Sequence, residues 1–152
     1  MSDALDSLNG LIVPLAEQPM LLPNVAVAEL VGYRLGQPAS QGPEWFLGWA
    51  NWRDQRIPLL DPGLLFGQPP ADGPAPRMLI LNAVSGRAGM PFIAMRVAGI
   101  PRSTRVVRGE LTVAGSPGNY VSQVVSLADE EQHLLIPDLD SIERVLEQVA
   151  TQ

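Results

Sequence analysis

Residues 46–61, FLGWANWRDQRIPLLD, place two tryptophans, an asparagine and two arginines close together and then run into an apolar segment containing Pro58. Residues 47–52 and 55–60 read as two strands joined by a tight connection at Arg53 and Asp54, a hairpin. Successive side chains of a strand point to opposite faces, so Trp49 and Trp52, three apart, do not both face inward if the strand is regular. Aromatic rings and guanidinium groups combine contact area with directed hydrogen bonding, and interfaces concentrate their energy on such residues. The competing reading places both tryptophans in the core. Past the hairpin, Asp61 suits the cap of a helical turn, Pro62 its first position and Gly67 its end.

On the N-terminal side, residues 8–16 (LNGLIVPLA) and 18–30 (QPMLLPNVAVAEL) are apolar and extended, broken by Pro14, Pro19 and Pro23. Each proline removes a ladder donor, so these strands belong at edges, begin late or contain bulges. Val25, Val27 and Glu29 alternate with Ala26, Ala28 and Leu30 as in a strand, with helix as the rival reading because alanine favours it. Residues 36–43 (GQPASQGP) are a loop by composition, and Pro43 suits the opening of a short turn over Glu44, Trp45 and Phe46. On the C-terminal side, residues 68–76 (QPPADGPAP) are the clearest internal linker and divide the chain near its middle. Residues 78–84 and 90–97 flank the turn SGRAG as a second hairpin, and residues 120–127 and 133–136 supply the last strands. The tail changes period. Leu139, Ile142, Val145, Leu146 and Val149 share one helical face, and Asp140 with Glu143 has capping-box spacing, which gives one amphipathic helix of about three turns packed on the β body.

With 152 residues and 46% hydrophobic side chains, the chain has the size of one domain. Fifteen prolines and fourteen glycines punctuate it too often for long helices, so a mainly β fold is expected. A net charge of -6 argues against general nucleic-acid binding, which needs a basic surplus. Every basic residue other than His133 is arginine, a side chain that keeps its planar fork when partly buried, although genomic base composition explains the bias more simply. The absence of cysteine excludes disulfides and thiolate metal sites. The acidic N-terminus lacks a secretory pattern and no apolar run approaches the ~20 residues of a membrane span, so a soluble cytoplasmic protein is expected.

Catalytic equipment is sparse. His133 has no nucleophilic partner in the sequence, and Asp129, Glu130 and Glu131 lack the spaced ligands of a calcium loop. No phosphate-binding glycine motif occurs. Arg87, Arg96, Arg102, Arg105 and Arg108 make one region basic, and residues 129–147 hold seven acids, an arrangement for steering a partner or for pairing within the chain. An enzyme built on Glu29 with Asp54 or Asp61 would require these acids to converge in one pocket. No catalytic residue, cofactor or metal is expected.

The hairpin also resembles a family motif. FLGWANWRDQRIPLLD is similar to the central pattern of the CheW-like scaffold proteins of bacterial chemosensory arrays: Gly48, Asn51, Arg53, Pro58 and Asp61 match it in register, and Asp54 stands where the family has glycine. Val27 and Glu29 resemble the family's V-x-E-I strand, and residues 78–100 resemble the strand pair ending in V-D-G-V, with Ala98 in place of the aspartate. The resemblance implies two packed five-stranded SH3-like β-barrel subdomains with a short C-terminal helix, in a single domain over residues 1–152 whose halves meet near the 68–76 linker. It implies a non-catalytic, cofactor-free adaptor coupling the cytoplasmic tip of methyl-accepting chemoreceptors to the regulatory domain of a CheA-type histidine kinase. Such an adaptor is cytoplasmic and associates with receptor arrays at the inner membrane, without inserting into it or binding nucleic acid.

Carried onto this chain, the protein-binding positions are Val27, Glu29, Gly48, Asn51 and Arg53. Arg53 bonds either a partner's carboxylate or carbonyl, or Glu29 within the chain. Gly48 permits close approach of another backbone, or a bulge. Asp54 alters the demands of the turn, because aspartate tolerates a left-handed conformation less well than glycine. These departures mark a divergent member, similar to a ChpC-type accessory CheW-like protein of a type IV pilus system controlling twitching motility. The alternative is a small β-barrel module binding peptides or proteins outside chemotaxis.

Overall fold

The computed structural model describes residues 7–71, 73–84, 89–107, 109–128 and 130–150. Pro14 and Pro19 lie in the break between β1 (Ser7–Val13) and β2 (Met20–Pro23), and a 3-10 turn (Asn24–Ala26) leads into β3 (Val27–Gly32). The alternating residues 25–30 thus resolve into a turn and a strand. A two-residue strand, β4 (Gln37–Pro38), precedes the hairpin β5 (Phe46–Trp52) and β6 (Gln55–Leu60), which ends in the single-turn helix α1 (Pro62–Leu65). Asp61 Oδ1 caps α1 by accepting from the Leu64 N–H at 3.0 Å. After the linker come β7 (Arg77–Asn82), β8 (Phe92–Val97), β9 (Arg102–Val107), β10 (Leu111–Gly115), β11 (Val121–Leu127), β12 (Leu134–Pro137) and the helix α2 (Leu139–Ala150). Residues 85–88 of the second hairpin's turn, with Arg87, and also Arg108 and Asp129, lie outside the described residues.

The strands form two sheets, ordered β10-β11-β12-β2-β1-β9 and β3-β7-β8-β6-β5-β4. One parallel contact occurs in each, β12 with β2 and β6 with β8, and the other pairs are antiparallel. The outermost strands of each sheet are neighbours in sequence. Four steps from Val107 to Leu111 span at most about 14 Å, and five from Gly32 to Gln37 about 18 Å. The edges of a flat six-stranded sheet would stand about 24 Å apart. Each sheet therefore curls toward closure, which gives the two-barrel, mainly β architecture expected from the sequence. By hydrogen bonding each sheet numbers six strands, and the sixth of the second sheet is the short β4.

The linker at residues 68–76 does not separate the barrels. β6 before it and β7 after it lie in the same sheet, and the chain changes sheets between β2 and β3 and again between β8 and β9. Proline-rich composition marks a break in pairing but says nothing of which strands meet across it. Gln68, the linker's first residue, reaches to the first sheet instead. Its Oε1 accepts from the Glu17 and Gln18 N–H groups at 3.0 Å each, and its Nε2 donates to the Gln18 carbonyl at 2.9 Å.

Three cores follow from strand alternation. Met78 and Ile80 of β7 face the interior of the second barrel with Ala50, Trp52 and Ile57. Leu79 and Leu81 of the same strand face the other way, into the central core between the barrels, where Val13, Leu22, Ile93, Met95, Ile142 and Leu146 meet. A smaller core of Ile12, Leu21, Val125, Leu127 and Leu134 fills the first barrel. α2 buries its Ile142 and Leu146 face as predicted, but its cap differs: Asp138 accepts from the Ser141 N–H and Oγ at 3.2 and 2.8 Å. Glu143, only 1% exposed, accepts from the Val84 N–H at 2.7 Å and so ties α2 to the segment that follows β7.

Candidate functional site

Trp52 pairs with Gln55 across the β5–β6 turn, and Arg53 and Asp54 between them adopt φ values of 48° and 62°. Two successive left-handed residues make the kind of tight turn whose twist matches that of the flanking strands. Asp54 thus takes up the conformation that a glycine adopts without a Cβ penalty, at a cost of about 1 kcal/mol.

The turn folds Arg53 back over the Trp52 ring, its guanidinium carbon 4.7 Å from the ring centroid. Glu29 Oε1, on β3 at the other edge of the same sheet, accepts from Trp52 Nε1 at 2.9 Å and from an Arg53 terminal nitrogen at 3.2 Å. One carboxylate oxygen therefore binds an indole anchored in the second barrel beside Phe92 and a guanidinium at the surface. The Arg53 and Glu29 side chains are 67% and 40% exposed, so their ion pair contributes at most about 1 kcal/mol. A contact of that size exchanges readily for a partner's carboxylate or carbonyl, while the indole keeps Glu29 in place.

Trp49 lies on the opposite face from Trp52, as the spacing required. It packs edge-on to Phe46 toward the central core, under the Arg56 guanidinium at 4.3 Å, which in turn donates to Gln37 Oε1 at 2.9 Å. Asn51 is exposed opposite Arg56 and lines a shallow cleft with Arg34, Leu35 and Gly36. Gly48, at φ 131°, is buried beneath β4: a Cβ there would lie 2.1 Å from the Gln37 carbonyl oxygen. The backbone that Gly48 admits is thus this chain's own, and the register of β5 also shifts between Phe46 and Gly48, so close approach and bulge are both present. Val27 pairs with Leu81 and packs on the central core. Of the five predicted positions, Glu29 and Arg53 meet directly and Asn51 is exposed on the same hairpin, while Val27 and Gly48 shape the strands beneath.

A second ion pair, Asp61 with Arg96, is largely buried. Asp61 is 0% exposed; its Oδ2 accepts from Arg96 Nε at 3.0 Å, from an Arg96 terminal nitrogen at 2.8 Å and from the Ala71 N–H at 2.9 Å. The Tyr33 ring stands 5.5 Å from the same guanidinium. Burial acts to lower the pKa of Arg96, and the hydrogen bond and charge of Asp61 outweigh it, so the pKa is raised above the ordinary arginine value. The signal available in sequence was the arginine within the otherwise apolar MPFIAMRV. Asp61 thus serves α1, β8 and the linker.

The acids required by an enzymatic reading do not converge: Glu29 is engaged with Trp52 and Arg53, Asp61 is buried with Arg96, and Asp54 lies in the exposed turn. The basic and acidic regions meet where Arg102 bonds Glu130 at 2.8 Å; that hydrogen bond, then the charge, raises the arginine's pKa. Arg96 pairs elsewhere. Among the described residues, no His, Cys, Asp and Glu group of three or more is placed to hold a metal, and no helix is long and apolar enough to cross a membrane.

Two curled sheets around a shared core, with a hairpin that packs its tryptophans inward and presents Arg53 at the surface, define a double-barrel β scaffold. The family model of the CheW-like domain matches residues 9–146, and the chain belongs to that family, whose members are adaptors rather than enzymes. No curated protein matches the sequence. The crystal structure of the scaffolding protein TtCheW from Thermoanaerobacter tengcongensis shares the fold, with a TM-score of 0.71 and 18% identity, over 87% of this chain and 84% of that one.

Proposed function

We propose that this CheW-like protein is a coupling adaptor that joins the cytoplasmic tip of methyl-accepting chemoreceptors to the regulatory domain of a CheA-type histidine kinase. It acts as one unit over residues 1–152, in the cytoplasm at inner-membrane receptor arrays, as an accessory component of the ChpC kind in a type IV pilus system controlling twitching motility. Glu29, Asn51 and Arg53 are the docking side chains, and Val27 and Gly48 hold the strands that present them. The observation that carries the reading is the exposed Arg53, held by an anchored Glu29 in a bond weak enough to be exchanged.

Calorimetric titration of the purified protein with the kinase regulatory domain and with a receptor-tip fragment tests this. Arg53→Ala should weaken binding to at least one of them by roughly tenfold, the loss of a charge-assisted bond, while the melting temperature moves little. Binding to neither fragment by the native chain refutes the coupling role. Native affinity with a lowered melting temperature in Arg53→Ala makes Arg53 a structural residue.

A further inference from the structure

The cleft beside Asn51 gathers donors that the described chain leaves unused. Arg34, exposed on the segment between β3 and β4, makes no hydrogen bond or ion pair among the described residues, and neither does the Asn51 side chain. Both line one cleft of about 350 Å³, walled also by Leu35 and Gly36, and none of its lining residues is an acid. By contrast Arg53, Arg56, Arg96 and Arg102 each reach an acceptor within the chain.

A close backbone contact sets the place of Asn51. The Gly36 N–H donates to the Trp49 carbonyl at 2.9 Å, just ahead of the pairing of β4 with β5. A Cβ on Gly36 would lie 2.8 Å from Asn51 Nδ2 and 3.0 Å from that carbonyl oxygen. Gly36 has no positive φ, so the demand for glycine is one of space, and any other residue there displaces the carboxamide from the cleft. Across the hairpin from Asn51 stands Arg56, whose guanidinium rests on Trp49 and donates to Gln37, so a second cation flanks the same face.

We propose that this cleft receives a carboxylate side chain of the docked partner, held by the Arg34 guanidinium and the Asn51 carboxamide. Charge complementarity names the occupant: the cleft offers a cation and an amide donor with no acid, and a planar guanidinium fork matches a carboxylate. The net charge of -6 over the whole chain disfavours a polyanion in its place. A partner that covered Arg34 without supplying an acid would strand a desolvated charge, so the cleft selects as well as binds. Arg53 must exchange Glu29 for its partner, whereas Arg34 has no bond within the described chain to break. The inference rests on the coupling role proposed above and adds to it a docking residue and the chemistry that meets it.

Calorimetric titration of Arg34→Ala and Arg34→Glu against the kinase regulatory domain and the receptor-tip fragment tests it. On the fragment that the native chain binds, Arg34→Ala should weaken affinity roughly tenfold and Arg34→Glu further, with the melting temperature unchanged. The affinity of Arg34→Ala should also fall less steeply with salt than that of the native chain. Arg144→Ala, which removes the same charge from the exposed face of α2, should bind as the native chain does. Replacing one exposed acid of the fragment with arginine should restore the affinity lost in Arg34→Glu, a rescue that a structural role for Arg34 would not give. Gly36→Ala should weaken binding in the native background and not in Asn51→Ala. Native affinity in both Arg34 variants, or no rescue by any acid-to-arginine replacement, overturns the proposal and leaves the coupling role standing. Binding of neither fragment by the native chain overturns both.

Discussion

Replacing Arg96 with methionine removes the guanidinium while keeping much of its apolar stem. Asp61 would then remain fully buried, with the Leu64 and Ala71 N–H groups as donors but without the cation that supplies two of its hydrogen bonds. Removing one member of a buried pair costs about 3–5 kcal/mol, most of it from the charge left behind. For a chain of this size each kcal/mol moves the melting temperature by about 2–4 °C, so Arg96→Met should melt roughly 6–20 °C lower. Urea titration followed by tryptophan fluorescence reads the loss, because Trp52 is buried. The raised pKa of Arg96 fixes the sign of any pH effect. Its contribution is complete at any pH below the ordinary arginine value of the unfolded chain and is lost only as pH climbs through the higher folded value, so a titration at neutral pH reads it whole. A double-mutant cycle with Asp61→Asn should return a coupling of at least about 1 kcal/mol. A loss below about 1 kcal/mol in Arg96→Met at an unchanged urea slope would refute the view that Asp61 depends on this cation.

Gly48→Ala should destabilise by about 2–4 kcal/mol, because the positive φ and the Gln37 carbonyl leave no room for a Cβ; amide exchange should show β4 released from β5. Asp54→Gly should stabilise by up to about 1 kcal/mol in urea by relieving the left-handed aspartate, with binding through Arg53 retained. Gln68→Ala removes three hydrogen bonds to Glu17 and Gln18 and should cost about 1–3 kcal/mol, with faster amide exchange at those two residues than elsewhere in the first barrel.

The features legible in the sequence are those set by neighbours along the chain. The β5–β6 hairpin, the Asp61-Pro62 helix start and the apolar face of α2 each depend on residues within a few positions, and each appears where the pattern placed it. The opposite faces of Trp49 and Trp52 followed from strand periodicity alone. Distribution of the strands between sheets was not legible, because the parallel contacts of β12 with β2 and β6 with β8 join segments that share no turn. The linker at residues 68–76 therefore looked like a boundary and proved internal to one sheet. Asp140 and Glu143 have capping-box spacing, yet Asp138 caps α2 and Glu143 reaches Val84, a partner distant in sequence. At the candidate surface, the motif residues were legible but their division of labour was not: whether Gly48 faces a partner or its own β4 depends on a backbone eleven residues away.

The first sheet takes β1 and β2 from one end of the chain and β9 to β12 from the other, whereas the second runs unbroken from β3 to β8. During synthesis the second barrel has all its strands once Val97 has left the ribosome. β1 and β2 emerge earliest but wait for β9 and β12, their partners outside their own hairpin. Pairing across so long a loop is slow, and apolar strands held unpaired are exposed to aggregation in the interval. A truncation of strands from either terminus injures the same barrel, and leaves the other with its full set of strands.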